Sequence, residues 1–102
     1  MEWYEDLKKS ISKITPGYIN YCMIEGICVI SNTFANESLH LEIDARTIEG
    51  ERTNICTRIM LIKEFMGSEE YLEDVKREAL RKYNEMIIKI IIWCNERKED
   101  PA

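Results

Sequence analysis

The chain has 102 residues, the length of one domain, and its 45% hydrophobic content excludes general disorder. Its formal net charge of −5 argues against a nucleic-acid-binding protein and against attachment to an anionic membrane surface, because both need clustered Lys and Arg side chains. We expect a single α+β domain over residues 1–98 and a frayed tail over residues 99–102.

The N-terminal segment is typical of an amphipathic helix. Apolar residues recur at spacings of three and four positions: Trp3, Tyr4, Leu7, Ile11 and Ile14. Thr15-Pro16-Gly17 is expected to end the helix, because proline and glycine do not continue it. The acidic start lacks the basic residues and the apolar run of a signal peptide, which favours an intracellular, cytoplasmic protein.

The middle of the chain is typical of two β-hairpins. The tripeptide Ile-Glu-Gly occurs at residues 24–26 and again at 48–50, each time inside a run rich in β-forming residues. A repeated turn sequence predicts two hairpins of similar build, each with a three-residue loop. Gly26 and Gly50 are then expected to have positive φ, because such loops need a left-handed third residue.

The register of the second hairpin follows from its hydrophobic pattern. Residues 39–45 and 53–61 each direct their odd-numbered side chains to one face. Both of these faces lie on the same side of the sheet only if the numbers of paired residues have an even sum. A three-residue loop meets this condition by pairing Ala45 with Thr53, whereas a two-residue loop does not.

The C-terminal third is typical of a long helix. Ser68 is a suitable N-cap, and acidic residues follow it in the first turn. The segment Met86–Cys94 is apolar on nearly every side, and an alternative interpretation makes it a buried strand because it is rich in isoleucine. The predicted fold is α+β: an N-terminal helix, a four-stranded antiparallel sheet of two hairpins and a long C-terminal helix.

Two of the four cysteines, Cys22 and Cys28, flank the first Ile-Glu-Gly segment. If this segment forms the same loop as the second, the two residues lie directly opposite each other, within the spacing of a disulfide. The alternative is two small buried side chains that stay reduced in the cytosol. Because the chain has no C-x-x-C motif and one histidine, it predicts no zinc site.

Polar side chains on the outward face of the second hairpin are the candidates for chemistry. Glu42 is expected opposite Cys56 with His40 on the diagonal, where a histidine could activate a thiol. Glu42 and Asp44, with Glu64 nearby, are candidate Mg²⁺ ligands. Alternating acids are also the default for a solvent-facing strand, so we predict no catalytic, metal or cofactor site. The alternative is a small metal-dependent or cysteine enzyme acting on nucleic acid or a nucleotide.

On a domain this small, five apolar residues in two parts of the chain are expected to stay exposed to solvent. They lie at the end of the fourth strand and near the end of the last helix: Met60, Ile62, Ile88, Ile91 and Ile92. A large exposed apolar patch usually marks an interface, and one patch in two copies closes as a two-fold dimer. We therefore predict a non-enzymatic protein–protein interaction module, a homodimer with these residues at its interface centre. A peptide added to an open strand edge is the alternative partner.

The composition also carries a resemblance. The chain has sixteen isoleucines but two valines, fifteen glutamates but four aspartates, and no glutamine. A thermophilic origin and AT-rich coding both produce such a bias. With the short chain and the helix–hairpins–helix layout, this composition resembles the small proteins of unknown function from viruses of hyperthermophilic archaea. The resemblance implies a protein of the host cytoplasm and carries over no functional residue.

Overall fold

A computed structural model describes residues 2–33 and 36–97. The elements in chain order are α1 (Glu2–Ile14), β1 (Tyr18–Ile19), β2 (Cys22–Thr33), β3 (Asn36–Thr47), β4 (Arg52–Leu61), a short 3-10 helix (Lys63–Phe65) and α2 (Glu69–Glu96). The predicted α+β fold class, with a helix before and after a four-stranded antiparallel sheet, is confirmed. The predicted frayed tail at 99–102 lies outside the described residues.

The sheet is antiparallel with the strand order β1-β2-β3-β4, and both helices pack on one of its faces. The central strand β3 contributes the most deeply buried sheet residues, all at most 1% exposed: Leu39, Leu41, Ile43 and Ala45. These residues are the odd-numbered set that the alternation predicts. From the helices, the buried stripe that meets them includes Leu7 and Ile11 of α1 and Tyr83 and Ile90 of α2.

The helix boundaries follow from local sequence. α1 stops at Ile14, directly before the predicted Thr-Pro-Gly terminator. Ser68 caps α2, because its hydroxyl accepts a hydrogen bond from the Tyr71 N–H at 3.3 Å. α2 runs unbroken for 28 residues, which confirms the helical interpretation of Met86–Cys94 and corresponds to about 42 Å at 1.5 Å per residue.

The β3–β4 hairpin has the register that the sequence predicts. Ala45 pairs with Thr53 and Ile43 pairs with Ile55. The Thr47 N–H donates to the Glu51 carbonyl at 2.8 Å, which closes a loop of three residues. Gly50 is the third loop residue and has φ 98°, a conformation that a side chain would strain.

The first Ile-Glu-Gly segment does not form a loop, and that prediction is wrong. Gly26 lies inside β2, pairs with Ile43 and does not have positive φ. The turn of the first hairpin lies instead between β1 and β2, where Asn20 has φ 54°. Gly26 is required for a different reason: a Cβ there would overlap the Tyr83 hydroxyl and lie 2.9 Å from Thr15 Oγ1.

The polar residues at the end of β2 and the start of β3 belong to the sheet. β2 and β3 pair up to Thr33 and Asn36, which face each other at the end of the ladder. Long strands and a long helix make the molecule elongated, with extents of 58 × 25 × 17 Å and a radius of gyration of 15.7 Å.

In the described part of the chain, no helix combines the length and the hydrophobicity that a membrane span requires.

Candidate functional site

Within the described residues, one face of the sheet carries no helix, and we call it the outer face. Side chains alternate between the two faces along each strand, so the neighbours of buried positions point outward. The outer face consists of rows with one residue each from β2, β3 and β4: Met23, Arg46, Arg52; Glu25, Asp44, Asn54; Ile27, Glu42, Cys56; Val29, His40, Arg58.

A hydrogen-bonded network occupies the centre of the outer face. His40 Nε2 and Glu42 Oε1 are 2.8 Å apart. The Asn54 amide donates to Glu42 Oε2 at 2.8 Å and to Asp44 Oδ1 at 2.6 Å. The bond with His40, and then the bond from Asn54, lowers the pKa of Glu42 below its ordinary value. The network therefore favours the carboxylate form of Glu42 and joins β3 to β4.

The candidate catalytic residues are close in register but are not arranged as a reactive pair. Glu42 lies opposite Cys56 and His40 lies opposite Arg58, as the sequence predicts. The His40 ring contacts Glu42, and among the described hydrogen bonds none joins it to the Cys56 thiol. Glu64 lies in the 3-10 helix beyond the end of β4. The described residues contain no group of three His, Cys, Asp or Glu side chains suited to a metal ion.

The predicted Cys22–Cys28 pair is wrong. Both residues lie on β2, six positions apart, which corresponds to about 20 Å, whereas a disulfide needs Cα atoms within about 7 Å. Cys22 pairs with Thr47 and Cys28 with Leu41 because the turn expected between the cysteines does not form. Cys22 instead lies near Cys94 of α2. The pKa of Cys94 is raised to about 12, mainly because the thiol is buried and secondly because it forms a hydrogen bond with Cys22.

The residues of the predicted interface lie in two separate places. Met60 and Ile62 are exposed at the end of β4, where the Ile62 N–H donates to the Tyr71 hydroxyl in the first turn of α2. Ile88 and Ile92 are exposed 17 and 21 residues further along the same helix, about 25 Å or more away, and the neighbouring Ile91 is half-buried. One chain therefore does not present them as a single patch.

β4 forms an open edge of the sheet in the described structure. The bond from Thr47 N–H to the Glu51 carbonyl fixes which residues of β4 face β3. By the antiparallel alternation, the backbone N–H and C=O groups of Arg52, Asn54, Cys56, Arg58 and Met60 point away from β3. Sequence patterns do not reveal this edge, because it depends on the strand order.

The inner face is incompletely covered at this edge. Leu39 and Ile43 of β3 are fully buried, whereas their partners on β4, Ile59 and Ile55, are half-buried. Trp93 of α2 is also half-buried near the start of β4, where Arg97 stacks on its ring at 4.1 Å and pairs with Glu51 at 2.8 Å. Apolar side chains thus reach solvent directly beside unpaired backbone groups.

A groove lies at the turn end of the outer face, and we call it the hairpin groove. It has a volume of about 390 Å³, and the residues that line it include Tyr18, Tyr21, Met23, Arg46, Ile48 and Arg52. Tyr18 is 68% and Ile48 is 79% exposed. The predicted register already places Arg46 opposite Arg52, but Tyr18 opposite Met23 depends on the first hairpin, whose turn was predicted in the wrong place.

Comparison with protein-family models, curated proteins and solved structures gives no match for this chain.

Proposed function

We propose that the protein is a non-enzymatic protein-interaction module that forms a homodimer by pairing its two β4 edges. The observation that carries the proposal is the open ten-residue strand Arg52–Leu61, flanked by half-buried apolar side chains. Unpaired strand edges are templates for pairing with another strand. A second strand added beside β4 would satisfy its backbone groups and cover Ile55 and Ile59 at the same time.

β4 carries two charged side chains, Arg52 and Arg58, but lacks the other features that protect natural sheet edges from pairing. Edge strands are commonly protected by charged side chains, lysine above all, or by proline, bulges or a very short length. β4 contains no lysine and no proline, and its ten pairs with β3 run from Arg52 to Leu61 without an interruption. The hydrogen bond from Asn54 to Glu42 joins β4 to β3 on the outer face. These features favour pairing of β4 with a strand of another chain.

The charges of β4 favour one register for two copies. A two-fold axis at Cys56 places Arg52 of each copy opposite Met60 of the other and Asn54 opposite Arg58. An axis one residue earlier, at Ile55, places Arg52 opposite Arg58 twice, and like charges directly opposite each other are destabilising. We therefore place the axis at Cys56, where the two thiols face each other.

The partner class follows from the whole chain as well. A net charge of −5 and an outer face that mixes acidic and basic residues favour a protein partner over nucleic acid or a membrane surface. The two-fold arrangement also brings the Met60 end of each copy to the turn end of the other. The two separate exposed apolar regions of one chain then approach each other across the dimer.

The test is sedimentation equilibrium at micromolar concentration. The wild-type chain should have the mass of a dimer. Cys56→Pro should be a monomer, because proline removes an N–H that points to the open edge and not to β3. Cys56→Ser is the matched control and should stay dimeric, since it keeps this N–H. A monomeric wild type, or a dimeric Cys56→Pro protein, would contradict the proposal.

Cross-linking tests the register separately. A short bifunctional maleimide should join two copies through Cys56, the exposed cysteine, while Cys22, Cys28 and Cys94 are buried. The control combines Cys56→Ser with Arg58→Cys, which moves the thiol two positions along the strand. In the proposed register the two new thiols are offset by about 13 Å and should not be joined. Equal cross-linking of both proteins would show a different register.

A further inference from the structure

Two arginines face each other at the turn end of the outer face. Arg46 on β3 is directly opposite Arg52 on β4, a position at which Cβ atoms are about 4.5–5.5 Å apart. Both side chains are exposed. Like charges in this arrangement destabilise a sheet, so the pair has a local cost that the fold itself does not explain.

No carboxylate of the described chain neutralises this pair within ion-pair distance. Arg77, Arg81 and Arg97 each form such a pair with a glutamate or aspartate. The Arg46 guanidinium instead donates to Met23 Sδ at 3.4 Å. Two nearby carboxylates have other partners: Asp44 accepts from Asn54, and Glu51 pairs with Arg97. Glu25 lies in the next row of the outer face, opposite Asp44, and forms no ion pair with either arginine in the described structure.

The hairpin groove has one sign of charge. Arg46 and Arg52 are the charged residues that line it, and they lie beside Tyr18, Tyr21, Met23 and Ile48. Glu25 and Asp44 line a separate, smaller cavity of about 270 Å³ on the other side of the same arginines. An anionic group in the groove would therefore lie beside two guanidinium groups, and no carboxylate is among the described residues that line it.

We propose that the hairpin groove binds a glutamate- or aspartate-containing segment of a partner protein. Arginine forms paired hydrogen bonds with a carboxylate, and one carboxylate between Arg46 and Arg52 removes their repulsion. Tyr18, Tyr21 and Ile48 offer exposed apolar area for the neighbouring residues of the segment, and Tyr, Met and Arg are the residue types enriched at protein interfaces. Phosphate groups of nucleic acid are the less favourable ligand, because the chain as a whole repels a polyanion.

This inference does not depend on the dimer. The groove is formed by side chains of one copy on the outer face, whereas the dimer uses the backbone edge of β4. The Cys56→Pro monomer should therefore bind the same ligand as the wild-type chain. A monomeric wild-type chain that binds the ligand would contradict the dimer alone, and a dimeric wild-type chain that does not bind it would contradict the groove assignment alone.

The experiment is an NMR titration of the full chain with a peptide of alternating valine and glutamate. Backbone amide signals of Arg46, Arg52 and Tyr18 should shift and saturate. A peptide with glutamine at each glutamate position is the ligand control and should cause no saturating shift. A single-stranded oligothymidine is the nucleic-acid arm and should bind more weakly than the acidic peptide.

Variants locate the binding to the groove. Arg46→Gln and Arg52→Gln should each weaken peptide binding about tenfold or more, because each removes charged hydrogen bonds. Both variants should keep or raise the melting temperature, since each removes one member of a like-charge pair. Arg58→Gln is the matched control: it lies on the same strand and face, opposite His40, and should not change binding. Binding of the glutamine peptide, tighter binding of the oligonucleotide, an equal loss in Arg58→Gln or an absence of saturating shifts would each overturn the assignment.

Discussion

Two glycines in identical tripeptides are required for different physical reasons. Gly50 has φ 98° and no atom within 4 Å of the position of a Cβ, so its requirement is conformational. Gly26 has an ordinary strand conformation, but Tyr83 and Thr15 occupy the place where its side chain would lie. One residue is fixed by its own backbone and the other by contacts from distant parts of the chain.

Alanine substitutions should separate these two causes. Gly50→Ala should lower the free energy of unfolding by about 1 kcal/mol, the usual strain of a side chain at positive φ. Gly26→Ala should cost more, about 1–3 kcal/mol or above, because it overpacks a buried contact. Urea denaturation gives both values. Gly67→Ala is the control, since that glycine has neither positive φ nor an atom near its Cβ position, and should be close to neutral. Equal costs for Gly26→Ala and Gly67→Ala would refute the packing argument.

Glu42 should make stability depend on pH on the acid side. Its pKa is lowered from 4.5 by hydrogen bonds from His40 and Asn54, so the folded state favours its ionised form. A group with a lowered pKa contributes stability above its unfolded value and loses that contribution as the pH falls through its folded pKa. The difference in unfolding free energy between the wild type and Glu42→Gln should therefore shrink below pH 4.5.

Urea titrations at a series of pH values measure this difference. Asn54→Ala removes the weaker of the two causes and should flatten the acid limb less than Glu42→Gln does. A gap between the wild type and Glu42→Gln that stays constant from neutral to acid pH would show that the network does not stabilise the ionised form.

Among the elements, α1, β2 and α2 meet at one hydrogen bond. The Thr15 hydroxyl, directly after α1, is 2.6 Å from the Tyr83 hydroxyl of α2, and both lie over Gly26 of β2. Thr15 Oγ1 also donates to the Ile11 carbonyl at 2.6 Å, so Tyr83 is the donor to Thr15. This contact fixes where the end of α1 lies along α2 and β2.

Removal of the Tyr83 hydroxyl should reveal this coupling. Tyr83→Phe alone should cost about 0.5–1.5 kcal/mol for one lost hydrogen bond. The same change should make Gly26→Ala less costly, because the atom that the new methyl group would overlap is gone. A double-mutant cycle of unfolding free energies measures this interaction. Additive costs would show that the two sites are not in contact.

The local sequence pattern predicts an element correctly where its apolar residues all lie on one face. It fails where the conformation depends on contacts with residues far away in the sequence. The β3–β4 register, and with it the facing pair Arg46 and Arg52, follows from alternation and one glycine loop. In β2 the outer face is apolar at Met23, Ile27 and Val29, as the inner face is, so alternation gives no argument against the loop that the repeated tripeptide predicts. The reason for Gly26 is Tyr83, 57 positions later, and no local pattern contains that contact. The local pattern does not reveal the open edge of β4 either, because strand order is a property of the whole sheet.

For the whole molecule, edge pairing predicts a stability that depends on concentration. A dimer that dissociates on unfolding is stabilised by mass action, so its melting temperature rises with protein concentration. Calorimetry over a hundredfold dilution series should show this rise for the wild type and for Cys56→Ser. The melting temperature of Cys56→Pro should not change with concentration. A constant value for the wild type across the series would indicate a monomer.

The elongated shape affects how the mass of the protein is read in solution. A particle 58 Å long and 17 Å thick meets more friction than a sphere of the same 12.1 kDa, and its radius of gyration of 15.7 Å exceeds the roughly 13 Å of a compact chain of this length. One copy should therefore elute early from a gel-filtration column and resemble a heavier protein. Side-by-side pairing widens the particle across the strands without lengthening it, so the frictional ratio should fall towards that of a sphere while the mass doubles. End-to-end association would raise the same ratio.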